Sequence, residues 1–350
     1  VTLARNHVTF RPFFEENAML PRNAADYKTL LWVFVLAPAV AGVQYAYPGL
    51  IKYMWWVSLY FAVATGTIAH NHNHMPTFTN KRMNSFFANW ISLIYGFPTF
   101  AWIPTHNLNH HKFVNTEGDA TITWRFTNSH NVFVAATYFF VSSYYQQFPT
   151  KAFIDKAKAS NPALFRRIVG QYVFWGTGYV VLLALAIAIH GFKTGLFVFT
   201  FVVAIPAVFS LWTIMLFNYE QHVHTDPWSK HDHSRSFVSP TLNFLLFNNG
   251  YHAAHHESPS LHWSQLEEAH DKIADQINPV LNQSSVWWYW FRQYALAPLF
   301  PSLSTVQLGA GPMNPPNGGR IQGIKSADVD LGDAGTNAER VHVPQASPAE

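Results

Sequence analysis

Four histidine clusters mark the chain: His70-Asn71-His72-Asn73-His74, His106-Asn107-Leu108-Asn109-His110-His111, Asn218-Tyr219-Glu220-Gln221-His222-Val223-His224 and His252-Ala253-Ala254-His255-His256. Neutral imidazole is a ligand for iron, copper, zinc or nickel, and spacing alone does not choose among them. A structural zinc uses four ligands, whereas these clusters offer about nine to eleven, enough for two ions with four or five nitrogens each. The chain has no cysteine. That excludes disulfides, thiolate zinc sites, thiolate-held iron–sulfur clusters and a fused rubredoxin.

Residues three and four apart share a helix face. His70 with His74, His106 with His110, His252 with His255 and His256, and Asn218 with His222 all meet that condition. His111 stands about 100° round from His110, so neighbours on one helix can serve different ions. His72 faces away from His70 and His74, and His224 falls just beyond a helix end. His231 and His233, in the charged loop 229–235, are expected in solvent. His262 and His270 flank a helix expected over 264–277 and either fix ligand tautomers by hydrogen bonds or play no part. His7, His130, His190 and His342 belong to no cluster. Among the carboxylates, Glu117 and Asp119 either orient ligand histidines, approach a substrate head group or lie in a solvated turn. Glu220, Asp226 and Glu257 adjoin candidate ligands as possible acceptors of imidazole N–H groups.

The elements that must position these clusters are apolar. Hydrophobic residues make up 49% of the 350 and charged ones only 12%, where a soluble protein carries about a quarter. Runs at 30–47, 53–69, within 167–193 (including 180–189) and at 196–217 approach the roughly 20 residues that cross a bilayer. Only 48–52 and 190–195 separate the members of each pair, so the runs read as two transmembrane hairpins. Two further uncharged stretches, 83–104 and 126–149, are rich in aromatics and broken by polar residues. They read as interfacial or cap helices, with two additional spans as the rival reading. The expected fold is an all-α integral membrane protein, with about four spans, or six, under a cytosolic helical cap carrying a histidine-ligated di-metal site.

Basic residues precede the first run (Arg5, Arg11, Arg22, Lys28) and populate the middle segment (Lys81, Arg82, Lys112, Arg125 among them). By the positive-inside rule both termini, the middle segment and all four clusters face the cytosol. No basic-then-apolar leader pattern precedes the first run, which is expected to direct insertion itself. Residues 1–28 read as a cytosolic lead-in, 29–301 as the membrane domain and 302–350, rich in Gly, Pro, Asn, Asp and Ala, as a disordered tail. Trp287-Trp288-Tyr289-Trp290-Phe291 suits the headgroup layer. A net charge of +3 leaves no nucleic-acid footprint.

In their order, and with hairpins between them, the clusters resemble the histidine boxes of the membrane fatty acid desaturase and hydroxylase superfamily. The boxes are His70-x-x-x-His74, His106-x-x-x-His110-His111 and His252-x-x-His255-His256, with Asn218-x-x-x-His222 after the fourth run. The stretch from Asn249 to Pro259 is also similar, and the likeness runs from about residue 30 to 300. The resemblance implies a nonhaem centre of two Fe ions held by His70, His74, His106, His110, His111, His222, His252, His255 and His256. Which ligand serves which iron stays open. Asn218 would be a water-mediated or supporting partner, and His72, His224, Glu257, Asp119 and His262 are candidates for steadying the ligands.

The resemblance further implies O2 as co-substrate and a long-chain lipid reached from the membrane. The expected reaction is removal of hydrogens from an unactivated C–H pair of an acyl chain. A hydroxylase or ketolase acting on an alkane, lipid or carotenoid shares these ligands. Residues 218–222 partly resemble the Asn-Tyr box of alkane monooxygenases, with the acid one place early, while Gly250-Tyr251-His252 leans toward acyl desaturases. Electrons would come from a separate ferredoxin, rubredoxin or cytochrome b5 with its reductase, since no carrier signature is present. A non-catalytic metal-binding or transport protein would place its ligands near the bilayer midplane, not at helix ends on one side. Trp55, Trp56, Tyr60, Trp90, Tyr95 and Trp102 either line an apolar slot for the chain or pack the helices.

Overall fold

In hydrocarbon every backbone polar group must bond within its own segment, which leaves helices as the open solution for apolar runs. The computed structural model of the protein describes residues 20–316. Seven long helices lead the chain: α1 (Asp26–Ala46), α2 (Ile51–His74), α3 (Lys81–Tyr95), α4 (Thr99–Phe113), α5 (Val132–Ser160), α6 (Pro162–His190) and α7 (Phe192–His222). Short α8 (Pro240–Leu245), α9 (His252–Glu257), α10 (Leu266–Asp271) and α11 (Val286–Trp290) follow. Two-residue strands, β1 (Ser236–Phe237) and β2 (Asn282–Gln283), pair in parallel. The protein is an all-α membrane protein. α1, α6 and α7 are long and apolar enough to cross a bilayer, and α3 with α4, bent by 96°, makes a fourth candidate if the pair is one span.

The run at 53–69 behaves differently from the other three. It forms α2, 24 residues long, yet α2 is not among the helices apolar enough to span. From Phe61 onward its side chains are almost all buried, against α7, α3 and α1. A helix surrounded by protein can carry Thr65, Thr67 and its histidines, because neighbouring helices rather than lipid meet them. α6 is the opposite case. Val173, Val180, Val181, Leu185 and Ile189 are exposed along it, an apolar surface that water would not tolerate and acyl chains would cover. Inside, Val33, Ile68, Phe87, Ile91, Tyr95, Ile214 and Phe247 pack α1, α2, α3 and α7 to one another.

Both ends of the described chain are tied to the helices. Arg22 donates through N and Nε to the carbonyls of Thr77 and Phe78, both at 2.8 Å. Residues 302–316 correct the expectation of a disordered tail starting at 302. Thr305 Oγ1 meets the Nδ1 atoms of His130 at 2.7 Å and His224 at 2.9 Å, and Trp228 Nε1 donates to the Gly311 carbonyl at 2.6 Å. A polar segment orders where buried groups need its hydrogen bonds. The remainder of that tail, and residues 1–19 of the lead-in, lie outside the described residues.

The bend between α3 and α4 depends on Gly96, which caps α3 at φ +104°. A Cβ there would sit 2.5 Å from Ala207 Cβ and 2.8 Å from its Cα on α7. Left-handed strain and a backbone clash act together, so Gly96→Ala is expected to cost about 2–4 kcal/mol. A thermal melt of the two proteins in the same detergent checks this. An unchanged Tm would refute it.

Candidate metal centre

The clusters fall on helix ends that converge. His70 and His74 end α2, His222 ends α7, and His252, His255 and His256 form α9. The second cluster is wound unusually: Ile103–His110 is a π-helix, and the His111 N–H reaches the His106 carbonyl five residues back. Such widened turns recur at functional sites. Here the winding brings His106 together with His111, and not with His110 as a four-residue repeat predicts.

All nine histidines are buried and fall into two groups, His70, His74, His106, His111 and His255 in one, and His110, His222, His252 and His256 in the other. In the first, Nε2 atoms close a ring: His70 to His106 at 2.8 Å, His106 to His111 at 3.0 Å, His111 to His255 at 3.0 Å and His255 back to His70 at 3.1 Å. The His74 ring lies 4.7–5.1 Å from the four others, edge-on to each. A closed ring of four nitrogens with a fifth imidazole edge-on to all of them leaves these five ligand atoms within 4.8 Å of one another, close enough to share one ion. In the second group Nε2 contacts run His110 to His222 at 3.0 Å, His222 to His252 at 2.9 Å and His252 to His256 at 3.1 Å. The groups abut, with His111 and His256 stacked at 4.4 Å.

These contacts fit metal ligation. At a metal–nitrogen distance of about 2.0–2.1 Å, nitrogens at right angles lie about 2.9 Å apart and tetrahedral ones about 3.4 Å apart. The observed edges match the right-angled case. A neutral imidazole has one N–H, so at most two of the four Nε2 contacts in the ring can be hydrogen bonds. The Nδ1 atoms of His111, His252 and His256 are buried with no hydrogen-bond partner among the described residues. Burial first, and the neighbouring imidazoles second, hold His252, His255 and His256 well below the ordinary imidazole range. They stay neutral, with lone pairs pointing at one another; a cation among them would turn repulsion into coordination.

Hydrogen bonds fix several ring orientations, as metal-bound histidines require. His110 Nδ1 donates to Asp119 Oδ2 at 2.8 Å, His222 Nδ1 to the His233 carbonyl at 3.2 Å, and His70 Nδ1 meets Asn71 Oδ1 at 3.1 Å. Asp119 is buried, and the positive charge His110 can carry, with the bonds Asp119 accepts, outweighs desolvation and lowers its pKa below the usual carboxylate range. Of the carboxylates singled out in the sequence, Asp119 alone bonds a grouped histidine among the described residues.

The other candidates sit elsewhere. His72 Nδ1 meets Thr77 Oγ1 at 3.0 Å and its ring lies on Phe87. His224 bonds Thr305 and the Asn128 carbonyl. Glu257 takes the His231 Nδ1 at 2.6 Å, because the loop between α7 and β1 folds back over α9. His262 Nε2 meets Asp26 Oδ2 at 3.1 Å, tying α1 to the segment after α9. Asn218 donates to the Tyr138 hydroxyl at 2.9 Å and lines the same cavity as His252, with no hydrogen bond to a grouped histidine. Glu220 accepts from Tyr294 and lies 3.2 Å from His130 Nε2, while Asp226 caps its own turn.

The charged loop 229–235 is solvated only in its first part: Lys230 is exposed, whereas residues 233–235 are buried against expectation. His233 is buried with its ring 5.4 Å from that of His256. Arg235 is buried as well, donating to the Glu220 and Val223 carbonyls at the end of α7 and lying over Tyr289. It satisfies carbonyls that a helix C-terminus leaves without partners. Asn115, another residue the sequence did not single out, donates to the His222 carbonyl at 2.9 Å.

A cavity of about 560 Å³ reaches the histidines, bounded by His70 and His106 of the first group and His252 of the second. Tyr95 and Trp102 line it, with Trp102 edge-on to His70 at 5.2 Å. Trp55 and Trp56 instead point outward, and Tyr60 and Trp90 bond to α1.

Fold and site together define an all-α membrane protein with two adjoining all-histidine groups, each able to hold a metal ion, that reach an internal cavity. A family profile described as Fatty acid desaturase matches residues 50–290. No curated protein and no solved structure gives a significant match. The chain belongs to the fatty acid desaturase family, whose activity is that of an oxidoreductase.

Proposed function

We propose that the protein is an oxygen-dependent desaturase of long acyl chains, with two irons bound by the nine grouped histidines. His70, His74, His106, His111 and His255 would hold one, and His110, His222, His252 and His256 the other. A di-iron centre of this kind, when bound, supplies the reduction of dioxygen that cleaving an unactivated C–H bond requires. The observation that carries the reading is the cavity: histidines of both groups wall the same space as Phe97, Phe139, Leu211, Ile214 and Phe217. Those side chains would exclude water and hold an extended chain against the histidines. Asp119 would keep the His110 proton on Nδ1 and so leave Nε2 as donor to the metal.

Residues 29–301 are taken as the catalytic domain. The basic residues flanking α1 and lying between α2 and α6 support a cytosolic position for both termini and the histidines. Electrons would arrive from a separate ferredoxin, rubredoxin or cytochrome b5 with its reductase. Lipid and carotenoid profiling by mass spectrometry, in cells with and without the chain, tests the reading. Products lighter by two hydrogens are expected. Products heavier by one oxygen would make the protein a hydroxylase, and an unchanged profile with two irons bound would refute both.

Metal binding should also register as stability. A ligand that binds only the folded state adds about 2.7 kcal/mol at a hundredfold excess over its Kd. Stripping the metals with a chelator is expected to lower Tm reversibly, with ferrous iron restoring it. Equal melting temperatures with and without iron would count against the two groups as metal sites.

A further inference from the structure

Neither of the helices that bring His74 and His255 together fixes its own position. α9, which carries His255, is six residues long, where a helix stable by itself needs about 12–15. It follows a turn in which Phe247 and Asn248 take φ of +51° and +59°, and a bulky side chain keeps such a conformation only where its surroundings impose it. α2 ends at His74, and Met75 leaves it in an extended conformation. Both need support from outside.

That support comes from residues 22–28, where α1 begins. Arg22 N and Nε donate to the Thr77 and Phe78 carbonyls, just past His74, both at 2.8 Å. Asp26 accepts from His262 Nε2 at 3.1 Å and Trp263 Nε1 at 3.0 Å, beyond the far end of α9. Before α9, Lys28 donates to the Phe244 carbonyl, and its ammonium lies 3.9–5.5 Å from the ring centroids of Trp32, Phe244, Phe247 and Trp263. A cation within about 6 Å of an aromatic ring centroid is attracted to the ring face. Four rings therefore form a cage round this one, and the cage pins Phe247 in its strained turn. Resting on the reading of the two histidine groups as metal sites, and independently of the reaction, we propose that Arg22, Asp26 and Lys28 are positioning residues. They form a strap that holds the end of α2 and both flanks of α9 so that His74 and His255 reach one ion.

The strap serves one group and not the other. Asp26, Thr77, His262 and Trp263 line a small cavity together with His74 and His255, and no histidine of the second group lines it. α9 also carries His252 and His256, but His252 Nε2 meets His222 Nε2 at 2.9 Å and the His256 ring lies 5.0 Å from that of His110. The positive-inside rule accounts for Arg22 and Lys28 by sign alone. It does not account for Asp26 between them, nor for an ammonium that is spent on a carbonyl and four rings of its own chain.

Graded chelation of the iron-loaded full chain in detergent, followed by metal analysis, tests this. Lys28→Met keeps the apolar stem and removes the charge. It is expected to release one ion at about a tenth or less of the wild-type chelator concentration and to hold the other within about twofold, since disturbing groups that orient ligands costs 10–100-fold. Lys28→Arg keeps a cation over the rings and is expected to hold both ions within about threefold of wild type. In the His255→Ala background the ion that remains is the second group's, and adding Lys28→Met is expected to shift its release by less than about twofold. Two ions released as in wild type, or both loosened together, overturns the strap, and so does a Lys28→Arg variant no better than Lys28→Met. Should Lys28→Met fail to fold, Phe244→Leu opens the cage at a ring that is 57% exposed. One ion leaving at about a third or less of the wild-type concentration is then expected, and unchanged release refutes the strap. A wild-type chain that binds no metal overturns the metal reading and this inference with it, whereas two ions held alike in wild type and variants overturn this inference alone.

Discussion

His255→Ala is expected to lower bound iron from two ions per chain toward one and to reduce product formation by more than about a hundredfold. His255 closes the ring of nitrogens, 3.1 Å from His70 Nε2 and 3.0 Å from His111 Nε2. Disturbing only the partners of a ligand costs 10–100-fold in affinity or activity, so removing the ligand should cost at least that. A structural role would lower Tm alike with and without iron. A ligand role predicts an asymmetry: in the metal-free protein the change removes a lone pair crowded against two others and leaves Tm nearly unchanged, while the iron-dependent gain in Tm shrinks. His72→Ala is the control, because His72 is equally buried but bonded to Thr77. That variant should melt lower by about 1–3 kcal/mol with or without iron and keep both ions. Two irons per chain in His255→Ala would refute the assignment.

The cluster spacing picked out the nine histidines that the fold gathers, but not their division into two groups. A four-residue repeat assigns His106 and His110 to one face, and a helix of regular pitch would have kept them there. The π turn over Ile103–His110 redistributes them, and nothing local in Ile-Pro-Thr-His-Asn-Leu-Asn-His announces that winding; it follows from two groups that must both be filled. The same holds for α2. Its apolar run reads like the other three, because hydropathy does not distinguish a helix surrounded by helices from one surrounded by lipid. Loop 229–235 misled for a related reason. Its charges suggest solvent, but Arg235 is drawn inward by the carbonyls at the end of α7, and His233 follows it. Residues 302–316 show the complementary limit: a composition poor in apolar residues orders when His130, His224 and Trp228 supply partners from far along the chain. Contacts between distant segments decide each case, and one-dimensional patterns do not carry them.

Asp119→Asn is expected to weaken metal binding at the second group by 10–100-fold while leaving the first filled. Every acceptor position of this buried carboxylate is used. Oδ2 takes His110 Nδ1 and the Asn115 N–H, both at 2.8 Å, and Oδ1 takes the Thr121 N–H at 2.7 Å and its hydroxyl at 2.6 Å. Asparagine offers one oxygen, so its NH2 must face a backbone N–H in either orientation. If it faces Thr121, His110 keeps an acceptor but loses the negative charge that raises its ligand basicity; if it faces His110, the ring loses its orientation. Either arrangement leaves a buried donor unsatisfied, a further cost of about 1–3 kcal/mol. The depressed Asp119 pKa gives the sign of the acid response: its stabilisation is complete above the unfolded carboxylate range and is lost as pH falls through the folded value. The variant should therefore show a flatter loss of stability on acidification than wild type. Graded chelation followed by metal analysis separates the outcomes. One ion leaving at a tenth or less of the wild-type chelator concentration, with the second retained, is the expected result. Two ions leaving together at the wild-type concentration would mean that Asp119 holds only the loop from Asn115 to Thr121, and that His110 takes its orientation from elsewhere.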